Sequence, residues 1–478
     1  MADLSWVAAP GYEIGREILQ RGVAAVAAVA FWSTLRQFPA LLGEHGLLPV
    51  PRLLATVGPR GPSLFRWGYS DRRLRVVALT GVVVSLLLVA GLPQAGPPWV
   101  PLLAFALLYV LYLSVVHVGQ TFYGFGWEML LCEALLTVTL LGSAGQPPSW
   151  AALVLVWWLV IRLELGAGLI KIRGGQEWRD LTALMYHHET QPMPGPFSRQ
   201  AHLLPAWFHR VEVVGNHVTQ LGLPVLLLVP GPVASVAAAV MVVTQLWLVV
   251  TGNFAWLNWL AIVLAASAVT DAAWRTVLPF LGPDLAGQDP ATMPVAWGVV
   301  TLVGAALVLG VSWPALRNLF SPHQLMNASF NRWMVANAYG AFGTVTKRRV
   351  EIVVEGTEAE DPQEGDWHPY EFPGKPGDPA RRPRQWAPYH LRLDWMMWFL
   401  PLGRISAPWF HAFLAALLRA DPAVLRLLRE DPFRGRPPRW VRAQAYHYRF
   451  ATREEHRRDG LVWERTLQGT VVGPLRLR

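Results

Sequence analysis

The chain is short of cysteine and of charge. Cys132 is the only cysteine among 478 residues, which excludes an intramolecular disulfide and any Cys-based metal or redox motif. Charged residues make up only 15% of the chain and hydrophobic residues 53%, whereas an ordinary soluble domain carries about a quarter charged residues. A chain with so little ionic surface is expected to place much of its length in lipid, so we expect the membrane bilayer to be a partner.

Several catalytic and nucleotide-binding motifs are also absent. The sequence has no GxSxG elbow, no Walker A motif and no GxGxxG before a helix, so nothing in it supports a hydrolase, an NTPase or a dinucleotide-binding protein. The net charge of +9 would suit nucleic acid, but the basic residues are scattered among Trp, Pro and acidic residues without a nucleic-acid-binding motif. We therefore expect no nucleic-acid partner and no cofactor.

Charge is distributed unevenly along the chain. Residues 317–478 hold 25 of the 41 Lys and Arg residues and 17 of the 32 acidic residues, although they make up only the last third. This asymmetry divides the chain into a predicted polytopic transmembrane domain, 1–316, and a predicted basic α+β domain, 317–478.

The first predicted domain contains about nine stretches that are apolar over roughly the 20 residues that a helix needs to cross a bilayer. They are 18–38, 74–92, 98–118, 127–143, 150–170, 211–229, 232–251, 253–270 and 294–312. No cleavable signal peptide is recognised in the first stretch, which we interpret as a span. Short connections that hold Pro or Gly, such as 230–232, make neighbouring spans antiparallel, so the spans should form a bundle.

The second predicted domain has a different pattern. Alternation of apolar and polar residues at 345–355, 440–451 and 461–472 predicts strands, and the apolar faces of 389–402 and 408–419 predict helices on a sheet or at the membrane surface. The predicted fold class is therefore a polytopic α-helical membrane bundle of about nine spans, followed by a small α+β soluble domain.

Charged groups within or beside the spans are candidates for function, because such groups are costly in lipid. Lys171 ends the fifth span and shares a helix face with Glu164 and Gly168. A lysine beside apolar helices can lose its proton and serve as a general base, and an interfacial lysine that extends to water is the plainer alternative. The remaining charged groups in or beside spans, among them Glu128 and Arg162, are expected to pair with one another.

The connection 171–210 is the most unusual stretch of the chain. Its candidate functional residues are Arg173, Trp178, Arg179, Asp180, His187, His188, Glu189 and Gln191. The run His187-His188-Glu189 contains metal-ligand types, but the HExxH spacing is absent and no cysteine assists. We therefore predict a hydrogen-bonded loop that closes the mouth of the bundle, and no metal site.

Seven segments of the chain are distinctive. They are 166–197 (GAGLIKIRGGQEWRDLTALMYHHETQPMPGPF), 207–216 (WFHRVEVVGN), 252–260 (GNFAWLNWL), 337–357, 375–383, 387–399 and 437–450. Together these segments resemble the lipase maturation factor family. The resemblance implies an integral membrane protein whose C-terminal domain contacts client proteins such as lipases. In the segment 387–399 we assign that client contact to Tyr389, His390, Arg392, Asp394, Trp395 and Trp398.

The orientation in the membrane is contested by two observations. Arginine-rich loops on the side of the C-terminal domain favour a cytoplasmic position by the positive-inside rule. The family's animal members lie in the endoplasmic reticulum membrane with a lumenal C-terminal domain, so the resemblance implies the non-cytoplasmic side. We adopt the second interpretation, in the cytoplasmic membrane of a bacterium or the endoplasmic reticulum membrane of a eukaryote.

The short stretch 167–171 (AGLIK) is also similar to the region where vitamin K-dependent γ-carboxylases keep their catalytic lysine. This second resemblance implies a membrane-embedded enzyme in which Lys171 is the general base on a lipid-soluble substrate. The sequence thus leaves two functions open. We favour a non-enzymatic maturation factor for exported enzymes over the enzyme.

Overall fold

Helices build the first two-thirds of the chain. The computed structural model describes residues 5–279 and 293–477. Its helices up to residue 320 are α1 (Glu13–Leu42), α2 (Val50–Thr56), α3 (Asp71–Val89), α4 (Trp99–Val118), α5 (Gly126–Thr137), α6 (Trp150–Arg173), α7 (Gln176–Arg179), α8 (Leu184–Thr190), α9 (Ser198–His202), α10 (Ala206–His217), α11 (Leu223–Leu226), α12 (Pro232–Thr251), α13 (Leu257–Ala266), α14 (Asp271–Val277), α15 (Val295–Val311) and α16 (Trp313–Phe320).

Four of these helices, α1, α4, α6 and α12, are long and apolar enough to cross a membrane. The bent pairs α13–α14 and α15–α16 raise the number to six if each pair is one span. The predicted count of nine is therefore not confirmed. Helix α3 begins with Asp71 and three arginines, α5 has only 12 residues, and the stretch 211–229 is divided by a π-helical turn at Val218–Gly222.

Residues before the helices explain where several of them begin. Ser149 accepts a hydrogen bond from the amide of Ala151 before α6, and Ser70 accepts one from the amide of Arg73 before α3. These caps satisfy amides that have no partner inside the helix. Before α12, Gly231 adopts a φ of +97°, which is open to glycine at little cost and allows the tight turn at 230–232.

The segment between α6 and α10 is more regular than a loop. It contains the three short helices α7, α8 and α9. The predicted loop position of His187, His188 and Glu189 is wrong, because all three lie in α8. These three residues and Gln191 are buried, so this part of the segment is packed against the rest of the protein.

The C-terminal region contains an antiparallel sheet of four strands in the order β2-β1-β3-β4. The strands are β1 (Arg349–Thr357), β2 (His368–Pro369), β3 (Trp440–Phe450) and β4 (Trp463–Leu475), and the helices are α17 (Arg392–Trp398), α18 (Pro408–Leu418), α19 (Pro422–Leu425) and α20 (Arg453–Asp459). The prediction of a helical bundle followed by a small α+β region is confirmed. The predicted helix 389–402 is shorter, because α17 ends at Trp398.

The C-terminal region packs directly on the helices, and one apolar core runs through both parts. Buried arginines connect them by donating to backbone carbonyls. Arg349 Nη1 lies 2.8 Å from the carbonyl oxygen of Glu189, and Arg199 Nε lies 2.8 Å from that of Ala451. Hydrogen bonds from a charged guanidinium are stronger than those between neutral groups, so these contacts help to hold the C-terminal region on the helices.

Candidate functional site

A cavity of about 1750 Å³ lies between α6, α10, α12 and the C-terminal region. Its wall includes Lys171, Asn216 and Gln245 from the helices and Phe342 and Trp398 from the later part of the chain. The volume exceeds the roughly 300–1,000 Å³ of an ordinary ligand pocket. A cavity of this size beside membrane helices can accept a lipid-sized molecule.

Lys171 is buried at the end of α6 and lies on the wall of the cavity. Its Nζ donates to Asn216 Oδ1 at 2.9 Å and to Gln220 Oε1 at 2.8 Å, and it lies 4.5 Å from the centroid of the Trp178 ring. Among the described residues, the side-chain acceptors of Lys171 are thus two uncharged amides, whereas a buried ammonium is ordinarily paired with a carboxylate. Lys171 is therefore fixed in position rather than extended to water.

A polar network continues from Lys171 across three helices. Gln220 donates to Glu164 at 3.1 Å, Gln245 donates to the other oxygen of Glu164 at 2.8 Å, and Asn258 donates to Gln245 at 2.6 Å. Gln220 belongs to the π-helical turn, a feature that often occurs at functional sites. Glu164 and Lys171 share one helix face as predicted, but amides separate them.

The sequence-predicted residues of the 171–210 segment fall into two groups. Trp178, His187, His188, Glu189 and Gln191 are buried, whereas Arg173 is half-buried and donates to Gln324 at 2.7 Å. Arg179 and Asp180 are exposed. The structure thus buries five of the eight, and three of these, Trp178, His187 and His188, line the cavity.

Burial controls the protonation of this segment. The ring of His187 packs between Phe254 and Phe342, and burial lowers its pKa to about 3. Burial also raises the pKa of the Glu189 carboxyl, one oxygen of which accepts the backbone amide of Phe450 at 2.7 Å. His187 is therefore neutral at pH 7 and stacks as an aromatic ring on the cavity wall.

A second cluster combines His188 of α8 with His209 and Glu212 of α10. One ligand atom from each of the three side chains lies within 4.8 Å of those of the others. His209 Nδ1 is 2.8 Å from Glu212 Oε2, and His188 Nε2 is 3.3 Å from Glu212 Oε1. Sequence reasoning missed His209, although its i,i+3 spacing from Glu212 on a helix was an available signal.

The residues predicted to contact clients lie mostly inside the protein. His390, Arg392, Asp394 and Trp395 are buried, and Tyr389 and Trp398 are half-buried. Asp394 accepts the amide of Gly374 at 2.6 Å, and burial raises its pKa to about 6. The four buried side chains are closed to a client in this structure, so their predicted role stays a prediction.

These features define a multi-pass integral membrane protein with a docked antiparallel-sheet region and a large cavity between the two. Residues 14–276 match the family model "Lipase maturation factor transmembrane domain", and residues 335–473 match "Lipase maturation factor C-terminal domain". The chain belongs to the lipase maturation factor family.

Curated relatives align along almost the whole chain. Lipase maturation factor 1 of Bos taurus is 38% identical over 96% of this chain and 88% of its own length. Lipase maturation factor 1 of Homo sapiens is 36% identical over 97% of this chain and 88% of its own length. Lipase maturation factor 2 of Gallus gallus is 30% identical over 94% of this chain and 79% of its own length. No solved structure matches the chain.

Proposed function

We propose that the protein is a membrane-anchored maturation factor that assists the folding or assembly of exported enzymes through its C-terminal region. Lipases are the first client class to test, because the relatives that align along nearly the whole chain carry that name. Such a role requires a surface on which a partly folded chain can dock and from which it can leave.

The exposed edge of the sheet is the observation that carries this proposal. Strand β4 has 13 residues and pairs only with β3 in the part of the chain that the structure describes. Unpaired backbone groups on an edge strand can pair with an extended segment of another chain, and natural proteins usually shorten or charge such edges. Here the charged residues Glu464 and Arg465 stand at one end and Pro474 near the other, and the exposed Leu467 lies in the uncharged stretch between them. Strand β4 is thus suited to receive an extended client segment.

A charged side chain on β4 tests this docking. Leu467→Lys should reduce client capture and the yield of active secreted lipase in cells that co-express both proteins, because an edge lysine disfavours strand addition. The matched control is His456→Lys, which adds the same charge at an exposed position on α20. The proposal fails if Leu467→Lys, or deletion of the whole protein, leaves the secreted lipase fully active.

We also propose that the C-terminal region lies on the non-cytoplasmic side, where exported enzymes fold. The membrane would be the cytoplasmic membrane in a bacterial host or the endoplasmic reticulum membrane in a eukaryotic one. Fusion of the C-terminus to alkaline phosphatase, which is active only outside the cytoplasm, should give activity, whereas a C-terminal green fluorescent protein exported through the general secretory route should stay dark. The opposite pattern would favour the arginine count over the family resemblance.

A second candidate function is favoured by the position of Lys171 on the cavity wall. In this alternative the protein is a membrane-embedded enzyme, and the neutral amine of Lys171 removes a proton from a lipid-soluble substrate. The amide oxygens of Asn216 and Gln220 would hold the amine at a fixed point. The deciding comparison is Lys171→Met with Lys347→Met, since Lys347 is an exposed lysine. Loss of function in Lys171→Met alone, at normal expression, supports the enzyme hypothesis. If the two variants function equally well, the enzyme hypothesis is rejected.

A further inference from the structure

We propose that His188, His209 and Glu212 form a binding site for one divalent transition-metal ion of the zinc type on the wall of the cavity. The three side chains come from two separate helices, α8 and α10. Their ligand atoms converge within 4.8 Å. The His188 nitrogen lies 3.3 Å from the shared carboxylate, which is close to the separation of two ligands on a tetrahedral ion with bonds of about 2 Å. The His209 nitrogen, at 2.8 Å, would move slightly away from the carboxylate to ligate the same ion.

The hydrogen-bonding pattern of His209 supports a cation at this point. His209 Nε2 lies 3.3 Å from the backbone carbonyl oxygen of His202. A carbonyl only accepts, so Nε2 carries the hydrogen, and in a neutral ring Nδ1 then presents its lone pair. That lone pair faces Glu212 Oε2 at 2.8 Å. Two lone pairs at this distance repel each other, and a metal ion bound to both atoms from one side would remove that repulsion. A ring N–H held by a backbone carbonyl is the usual second contact of a metal-ligating histidine.

The carboxylate is also held in place. Trp247 donates its indole N–H to Glu212 Oε1 at 2.6 Å, which leaves Oε2 directed at His209. His188 is buried and places Nε2 between 3.3 and 3.4 Å from both carboxylate oxygens. A carboxylate fixed by an indole and flanked by two imidazoles is a small, rigid ligand set.

The ligand types decide the class of metal. Two imidazole nitrogens and one carboxylate oxygen suit Zn²⁺ and its neighbours in the first transition row, whereas Ca²⁺ and Mg²⁺ prefer all-oxygen sites. Three protein ligands leave one position of a tetrahedral zinc ion open. Because His188 and Glu212 both line the cavity, that position would face the space in which a lipid-sized molecule can lie.

The sequence predicted no metal site, and the reason is physical. That prediction considered His187, His188 and Glu189 as neighbours, but consecutive residues on a helix point in different directions. In the structure Glu189 instead accepts the amide of Phe450, and His187 stacks on Phe254. Only His188 faces α10.

The test is metal binding by the full-length protein in detergent, purified with an affinity tag that contains no histidine. After equilibration with Zn²⁺ and removal of free ion, elemental analysis should find about one zinc per chain. Co²⁺ should produce the visible absorption of a four-coordinate site. Glu212→Gln and His209→Ala should each weaken binding at least tenfold. The matched control, His456→Ala, removes an exposed histidine and should bind like the unaltered protein.

Folding of the variants is checked by their elution as single species, and Glu212→Gln provides the conservative variant if His209→Ala does not fold. The proposal is overturned if the unaltered protein binds no more zinc or cobalt than the Glu212→Gln variant. In that outcome His209 and Glu212 form only a hydrogen bond with each other. Equal loss of zinc in His456→Ala would also overturn it, because binding would then be spread over surface histidines.

Discussion

Arg392 of helix α17 and Glu128 of helix α5 form a fully buried ion pair, with Nη1 2.6 Å from Oε1. The two residues are 264 positions apart, and the pair joins the C-terminal region to the helical bundle. Tyr112 also donates its hydroxyl hydrogen to Glu128, and the ring centroid of Tyr123 lies 3.5 Å from the guanidinium carbon of Arg392. Removal of either partner would leave the other charge without compensation in the interior.

Glu128→Gln should therefore destabilise the protein by about 3–5 kcal/mol, the usual cost of breaking a buried pair. The expected consequence is earlier release of the C-terminal region, measured by denaturant unfolding in detergent and by the rate of limited proteolysis. The double variant Glu128→Leu with Arg392→Met should recover part of the loss, because two apolar side chains leave no unpaired charge behind.

The exposed pair of Arg436 and Glu358 provides the control. Glu358→Gln should change the free energy of unfolding by no more than about 1 kcal/mol, because water screens that pair. Equal effects of Glu128→Gln and Glu358→Gln would contradict the view that the buried pair joins the two regions.

Local sequence patterns predicted the parts of the fold that depend on neighbouring residues. The alternation at 440–451 matches β3 at Trp440–Phe450, since the alternating faces of a strand are encoded residue by residue. The predicted number of spans was not confirmed, because hydropathy does not show where a helix ends or bends, as at the 114° break between α13 and α14.

The candidate site was predictable only in part, for the same reason. Lys171 was singled out from its position at the end of a predicted span, and the structure places it on a cavity wall. Glu128 was recognised as a group that needs a partner, but no spacing rule connects it with Arg392, and the same holds for His188 and His209. Contacts between residues far apart in the chain are decided by packing rather than by periodicity.

Two helix glycines should respond in opposite ways to alanine. A Cβ on Gly166 in α6 would collide with the carbonyl oxygen of Tyr339, so Gly166→Ala should destabilise the protein by about 1–3 kcal/mol. A Cβ on Gly215 in α10 meets nothing within 4 Å, so Gly215→Ala should stabilise it by up to about 1 kcal/mol through helix propensity. Thermal unfolding in detergent measures both, and a shift of the same sign in the two variants would refute this explanation.

The buried His390 should make the C-terminal region sensitive to acid. Its ring lies among Phe125, Trp127 and Trp395, and burial lowers its pKa to about 4. The unfolded chain, with a histidine pKa near 6.5, binds more protons between pH 6.5 and 4. Stability is therefore fully present above pH 6.5 and decreases as the pH falls towards 4, by on the order of 3 kcal/mol from this residue.

His390→Phe keeps an aromatic ring in the site and removes the titration. Its free energy of unfolding should depend less on pH between 6.5 and 4 than that of the unaltered protein. The pKa of Asp394 is raised to about 6, so this residue makes the folded protein more stable as the pH falls over part of the range. Asp394 is present in both proteins, and its contribution cancels when their free energies of unfolding are compared. Parallel pH curves would show that His390 is not the sensitive group.

Asn253 connects the segment after α12 with the C-terminal region through all four of its hydrogen-bonding positions. Its Nδ2 donates to the carbonyl oxygens of Pro194 and Arg384, both at 3.0 Å. Its Oδ1 accepts the amides of Trp386 and Ala387 at 2.7 Å and 2.9 Å. The side chain is fully buried, so each group left without a partner in Asn253→Ala should cost roughly 1–3 kcal/mol.

Hydrogen exchange can locate this effect. In Asn253→Ala the amides of Trp386 and Ala387 should lose protection first, because they lose their acceptor. The matched control is Asn331→Ala, in which Asn331 Oδ1 no longer accepts the amides of Trp333 and Val335 within a local turn. That variant should lose protection only in its own turn, since its contacts do not bridge two regions. Loss of protection throughout 384–387 in the control would mean that the junction is not held by Asn253 but opens with any weakening of the chain.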